Sequence, residues 1–351
     1  MKKKILCLIG IMLVLLNFSG CGSSSKNQAD GDKSLVVVDW GGAYSDARNK
    51  ANYQSFEKKY GVKITVVNPT DYGKLKAMVQ SGNVEWDVVN VDSDFSVRGG
   101  KQGLLEKLDY NVIKKDDIDK SFVNDYGIGS DTFNVALAYN TNSFSKANHP
   151  QTWAEFWDTK KFPGARSMWK YPLATLESAL LADGVKPENL YPLDVDRAFK
   201  SLDKIKSNVK IWWATGAQPP QALASGDVTA AAAWNGRITT AKSQGSPEDV
   251  EYNESLVCGD SWVVPKGAKH KDLAMKFIAY MSTPEQQAEF SKLIDYAPTN
   301  SKALSLLSED RKKSIGKSDS DKSKKQIVVD INWWADNYNS VDERFQKWLI
   351  N

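Results

Sequence analysis

The stretch from Leu35 to Val91 does most to limit how this chain can fold. Leu35-Val36-Val37-Val38 is an unbroken apolar run, the pattern of a strand buried on both faces. Gly41-Gly42 makes a tight turn after it, and a helix is expected from Ser45 to Tyr60. Lys63 to Val67 predicts a second strand, Asp71 to Ser81 a helix, and Asp87 to Val91 a third strand. A βαβαβ order requires a parallel sheet with right-handed crossovers. Ligands of open α/β sheets sit at the carboxyl ends of the strands. That rule puts Asp39, Trp40, Gly41 and Gly42 at a mouth, with Asp92, Ser93 and Asp94 beside them.

The rest of the chain keeps to the same alphabet. Val135 to Tyr139 reads as a strand, and Trp153–Trp157, Leu173–Ala182 and Val195–Lys206 as helices. Pro219 to Ser225 is a short helix and Val228 to Trp234 a strand. Helices follow over Lys271–Met281, Pro284–Leu293 and Asp330–Leu349. A length of 351 residues suffices for two lobes with separate cores. Crossings near Thr141, Cys258 and Asn300 would divide the chain into 34–140 with 259–300, and 141–258 with 301–351.

The first 33 residues read as targeting rather than fold. Lys2-Lys3-Lys4 is followed by an apolar run, Ile5 to Leu16, too short to span a bilayer. Phe18-Ser19-Gly20-Cys21 resembles a bacterial lipobox, with Phe18 in place of the usual leucine. Residues 1–20 are therefore expected to be a signal peptide. Cys21 would carry a lipid, and 21–33, rich in Ser, Asn, Asp, Gly and Lys, would tether an extracytoplasmic body to the cell membrane. Of the three cysteines only Cys258 belongs to that body, so no intramolecular disulfide is available to it.

Composition narrows the function classes. The net charge of +3 implies no nucleic-acid partner. With two histidines, His149 and His270, and no HExxH, GxSxG, Walker loop or CxxC, neither a metal site nor catalysis is indicated, and no cofactor is expected. Binding chemistry is better represented. Trp40 and Trp234 each follow a predicted strand and precede a glycine turn, where an aromatic face can hold an alkyl chain or an ammonium. Arg237 offers a planar fork that matches a carboxylate, and Asp260 offers an acid before the apolar run Ser261 to Val264.

These residues also carry a family resemblance. Trp40-Gly41-Gly42, Trp86-Asp87-Val88-Val89, Ala138-Tyr139-Asn140-Thr141, Trp153 to Trp157, Trp234-Asn235-Gly236, Asp260 to Pro265 and Tyr296-Ala297-Pro298-Thr299-Asn300 occur in an order and spacing that resemble the polyamine-type (spermidine/putrescine) substrate-binding proteins of ABC importers. The resemblance implies a two-lobed α/β periplasmic-binding-protein fold of type II, with a ligand in the interlobe cleft. It implies a monomer that hands its solute to an ABC permease in the membrane. It implies that Asp260 binds a ligand amine and that Tyr296 faces the cleft, it puts Ser93, Asp94 and Trp334 near the ligand, and Gly41, at the mouth, joins them as a candidate contact.

Three departures bear on the ligand. Arg237 stands where such proteins commonly have a small residue, and Cys258 where they often have tryptophan. The paired acids expected before the helix at Leu173 are absent, the positions reading Trp169-Lys170-Tyr171-Pro172-Leu173-Ala174. A zwitterion such as γ-aminobutyrate fits this set slightly better than putrescine or spermidine, although Asp92 or Asp94 could replace the missing acids. A sensory receptor or an enzyme on the same fold is the alternative reading.

Overall fold

A computed structural model of the protein describes residues 33–317 and 325–351. The proposed signal peptide, Cys21 and nearly all of the tether lie outside the described residues. The chain enters through β1 (Ser34–Val38) and turns at Gly41-Gly42 into α1 (Ala43–Arg48), a π-helical segment (Asn49–Tyr53) and α2 (Gln54–Tyr60). The expected single helix is thus present, with a π-helical turn in its middle. β2 (Lys63–Val67), α3 (Tyr72–Ser81), β3 (Val88–Asp92) and α4 (Ser93–Lys101) complete the first βαβαβ unit. Asp71 starts α3 by accepting from the Lys74 amide, a local N-cap readable in the sequence.

β4 (Gly127–Asn140) follows, then α5 (Trp153–Trp157), β5 (Arg166–Trp169), α6 (Thr175–Ala182) and α7 (Val195–Ile205). β6 (Val209–Trp213), α8 (Gln218–Ala224), β7 (Ala230–Trp234) and α9 (Asn235–Ser243) come next. β8 (Glu248–Val263), α10 (Lys271–Met281), α11 (Pro284–Leu293), α12 (Glu309–Ser314), β9 (Ile327–Val328) and α13 (Ile331–Ile350) finish the chain.

One sheet runs through the molecule in the order β2-β1-β3-β8-β4-β7-β5-β6, with β9 pairing β8. β1, β2 and β3 are parallel, as the alternating pattern requires. The two long strands join the halves of the sheet. β8 pairs antiparallel with β3 near its carboxyl end, through Val89↔Val263 to Asp92↔Asp260. β4 pairs with β7 through Val135↔Trp234 to Tyr139↔Ala230, and with β8 over its whole length, with irregularities between Gly129 and Asp131 and between Val135 and Leu137. β4 is buried at all 14 positions.

The expected strand Val135 to Tyr139 is therefore the end of a much longer one. β5 and β6, which no sequence pattern announced, are four and five residues long and lack clean alternation. The largest apolar cluster includes Tyr44, Phe133, Trp169, Trp213, Trp234 and Tyr296, and is continuous with Trp40. Trp262, within the apolar run Ser261 to Val264, is fully buried in a second cluster with Leu35, Val37 and Phe277.

Candidate functional site

The site begins with a backbone constraint. Gly41 and Gly42 have φ of +71° and +53°, conformations that side-chained residues rarely adopt. A Cβ on Gly42 would stand only 3.1 Å from Nη1 of Arg237. The buried Asp39 carboxylate fixes this turn by accepting from the Gly41 amide (3.0 Å), the Ser45 hydroxyl and the Tyr53 hydroxyl (2.9 Å). Asp39 is thus structural, and the turn presents Trp40 and the carbonyl groups beside it.

From the other side comes α9. Asn235, its first residue, accepts from the Asn134 amide at 2.9 Å and donates to the Asp295 carbonyl at 2.5 Å, tying α9 to β4 and to the segment before Tyr296. Gly236 allows the close approach, because a Cβ there would collide with the Tyr296 ring. Arg237 then reaches the β1–α1 turn, its Nη2 donating to the Gly41 carbonyl at 2.9 Å and lying 3.5 Å from the Trp40 carbonyl. Trp40 and Trp234 meet edge to face, their centroids 6.2 Å apart.

Between these parts lies a narrow, closely packed cavity, lined by Trp40, Tyr44, Asp92, Phe133, Trp234, Asp260 and Tyr296. Asp260 accepts from Trp40 Nε1 at 3.0 Å through Oδ2, while its buried Oδ1 has no partner. Burial, with Asp131 and Asp92 adding to it, pushes its carboxyl well above the usual carboxylate range. Asp92 accepts from the Tyr72 hydroxyl at 2.5 Å, and burial, then the neighbouring Asp94, pushes it up to about 7. On the opposite side, Trp234 Nε1 and Arg237 Nε are buried donors without partners.

The structure brings Trp40, Trp234, Asp260 and Tyr296 together as the sequence suggested, with Gly41 and Arg237 immediately behind them. It places the remaining three expected residues elsewhere. Ser93 shares a 2.9 Å hydrogen bond with Ser261 inside the sheet. Asp94 is paired with Arg98 at 2.9 Å, one turn along α4. Trp334 is fully buried and donates to Glu177 at 2.6 Å. Cys258, buried on β8, does not line the cavity. His149 stacks on Tyr139 with centroids 4.2 Å apart, and His270 pairs with Asp87 at 3.0 Å, so neither histidine enters the site.

Two lining residues, Tyr44 and Phe133, carry no local signal in the sequence, and Asp92 was placed at the mouth and offered, with Asp94 as the alternative, as a replacement for the missing acids. Register could have found Asp92, since it stands directly across from Asp260. The acid missing before α6 also has a counterpart of a kind. Glu177, in the first turn of α6, accepts from the Tyr191 hydroxyl and from Trp334, both at 2.6 Å, and burial raises it to about 7. It braces α13 and does not line the cavity.

A family model described as a bacterial extracellular solute-binding protein matches residues 51–315. The chain is 37% identical over 343 residues to the gamma-aminobutyric acid-binding protein of Pseudomonas aeruginosa, covering 95% of each chain. It is 24% identical over 298 residues to the spermidine/putrescine-binding periplasmic protein of Escherichia coli, covering 81% of this chain and 82% of that one. Among solved structures, a GABA receptor superposes with a TM-score of 0.81 at 41% identity, over 90% of this chain and 97% of that one. The PBP AgtB of Agrobacterium tumefaciens R10, in complex with agropinic acid, superposes with a TM-score of 0.84 at 36% identity, over 91% of this chain and 99% of that one. Sheet order, crossing strands and these likenesses agree, and the chain belongs to the bacterial extracellular solute-binding protein family.

Proposed function

We propose that the protein captures a small zwitterionic amine, an ω-amino acid such as γ-aminobutyrate, and delivers it to an ABC permease. The observation that carries this reading is the polarity of the cavity. Two lining residues carry buried atoms without partners, the acceptor Asp260 Oδ1 on β8 and the donor Trp234 Nε1 at the end of β7, and behind this wall Arg237 Nε on α9 is a further unpaired donor. Buried polar groups without partners are costly, and a ligand bearing an ammonium at one end and a carboxylate at the other relieves both. Trp40, Trp234, Phe133 and Tyr296 supply apolar walls for the short chain between the charges.

A diamine fits less well. The two acids that line the cavity, Asp92 and Asp260, are cross-strand neighbours, so they serve one ammonium and leave the second amine without an acid. The P. aeruginosa relative named for γ-aminobutyrate supports the first choice, and the polyamine-binding relatives keep the second in play. The protein acts as a monomeric receptor and not as an enzyme. Its lobes, 34–140 with 259–300 and 141–258 with 301–351, hinge at β4 and β8 and close on the ligand, with a lipid on Cys21 holding the body at the cell membrane. Calorimetry with γ-aminobutyrate, putrescine and spermidine on wild type and Arg237→Ala tests the reading. γ-Aminobutyrate is expected to bind best and to weaken strongly in the variant. If the diamines bind best and the variant matches wild type, the zwitterion reading fails and the polyamine reading replaces it.

A further inference from the structure

Three neighbouring strands place a carboxylate at facing positions. Asp92 on β3 is opposite Asp260 on β8, and Asp260 is opposite Asp131 on β4. Directly opposed residues share a face of the sheet, with Cβ atoms about 4.5–5.5 Å apart. The three acids therefore form a row across the sheet beneath the cavity. One end of the row is neutralised, since Asp131 forms a buried ion pair with Arg48 and accepts from the Tyr44 hydroxyl at 2.9 Å. The other two have no such relief. Among the described residues no salt bridge reaches Asp92 or Asp260, and Asp260 Oδ1 is buried without a partner.

Two guanidiniums act on the pair from a distance, Arg98 on Asp92 and Arg48 on Asp260, but each is bridged to a different acid. On the Asp92 side, Tyr72 of α3 donates at 2.5 Å, and Asp94 of α4 adds negative charge but takes up Arg98, whose guanidinium also stacks on Tyr338 of α13 at 4.0 Å. Tyr171, before α6, also senses Asp92. On the Asp260 side, Trp40 donates from the β1–α1 turn, and Arg48 of α1 is committed to Asp131. Tyr44, Tyr296, and Cys258 with Glu177 beyond it, are neutral or acidic neighbours. Arg237 of α9 spends its Nη2 on backbone carbonyls and faces Tyr296. Two buried carboxylates this close cannot both be charged without a countercharge.

We propose that Asp92 and Asp260 hold a proton in the empty site and surrender it when a ligand ammonium takes its place, so that solute capture and proton release are one event. The inference rests on the amine-binding reading above. The proton passes to bulk water, the ligand keeps all its N–H bonds, and its ammonium becomes the countercharge the row lacks. Capture is then favoured as pH rises, by about tenfold per pH unit while one proton must leave. Binding flattens once the pair is ionised in the empty protein. Asp92 is thereby a specificity residue: it makes the seat selective for a cation over a neutral hydrogen-bond donor of the same shape.

Calorimetry of γ-aminobutyrate and putrescine binding tests this, at pH 6 and pH 8.5, in buffers of differing ionisation enthalpy. The better-binding amine should show an apparent enthalpy that tracks buffer ionisation at pH 6, with about one proton released. Asp92→Asn should lower the pH at which affinity levels off and weaken binding at pH 8.5. Tight binding of either amine with no proton released at pH 6 overturns the proposal while leaving the amine receptor intact. A variant whose pH profile matches wild type removes Asp92 from the pair. Failure of both amines to bind at either pH overturns the amine reading itself and this inference with it. The wild-type proton count stands alone should Asp92→Asn not fold.

Discussion

At the scale of the residue, Asp260 is the proposed seat of the ligand ammonium and an uncompensated buried acid. Its buried Oδ1 lacks a partner, and two acids flank it in register. Asp260→Asn should therefore weaken binding of γ-aminobutyrate by about 2–5 kcal/mol, the range for truncating one partner of a buried charge pair. The same substitution should raise the melting temperature of the empty protein, because an uncompensated carboxylate is gone. Calorimetric binding and scanning calorimetry on one sample check the two signs together. Glu248 allows a cleaner pH test away from the site. It opens β8 opposite Asn140, both its carboxylate oxygens are buried without partners, and burial raises its pKa from 4.5 to about 8. The folded protein thus holds this proton more tightly than the unfolded chain. The stability it lends is complete below pH 4.5 and is lost as pH rises through 8, at a cost on the order of 1–3 kcal/mol. Glu248→Gln should flatten that decline in urea unfolding measured between pH 5 and 8.5.

At the scale of the element, α9 decides the site. Its apolar content is modest, and its position comes from Asn235, which bonds β4 at 2.9 Å and the Asp295 carbonyl at 2.5 Å. Asn235→Ala should cost about 1–3 kcal/mol, since a buried amide and a buried carbonyl lose their partner together. It should also weaken ligand binding, because Trp234 and Arg237 flank the anchor. Chemical denaturation and calorimetry separate the two effects. The first βαβαβ unit was legible in advance because its cues are local: an apolar run, a glycine pair and a capping Asp71. β5 and β6 were not legible. Arg166–Trp169 becomes a strand by pairing with β6 and β7, and Val209–Trp213 by pairing with β5, partners distant in the chain.

At the scale of the whole molecule, β4 and β8 join the two halves of the sheet while Arg237 and the Trp40–Trp234 contact bridge the site without a ligand. The proposed closure would be a population shift, which contacts of this kind would bias. Arg237→Ala should enlarge the radius of gyration of the empty protein in small-angle scattering, and saturating γ-aminobutyrate should reduce it in wild type. An empty variant as compact as wild type would show that Arg237 is no latch. The proposed anchor is tested at the same scale: Cys21→Ala should abolish lipid labelling and release the protein from the membrane fraction.

Much of the site was already written into the chain. Trp40 and Trp234 stand at strand ends, positions that project side chains toward a common mouth, while Asp260, inside β8, and Tyr296, in the loop after α11, were legible through the family resemblance. The tertiary structure decided the rest through register and competition. Trp334 and Asp94 look available in the sequence, yet Glu177 and Arg98 claim them in the fold. Asp92 looks like one acid among several at the end of β3. Its place in a row of three depends on how β3, β8 and β4 pair, and a one-residue slip would turn it to the opposite face of the sheet.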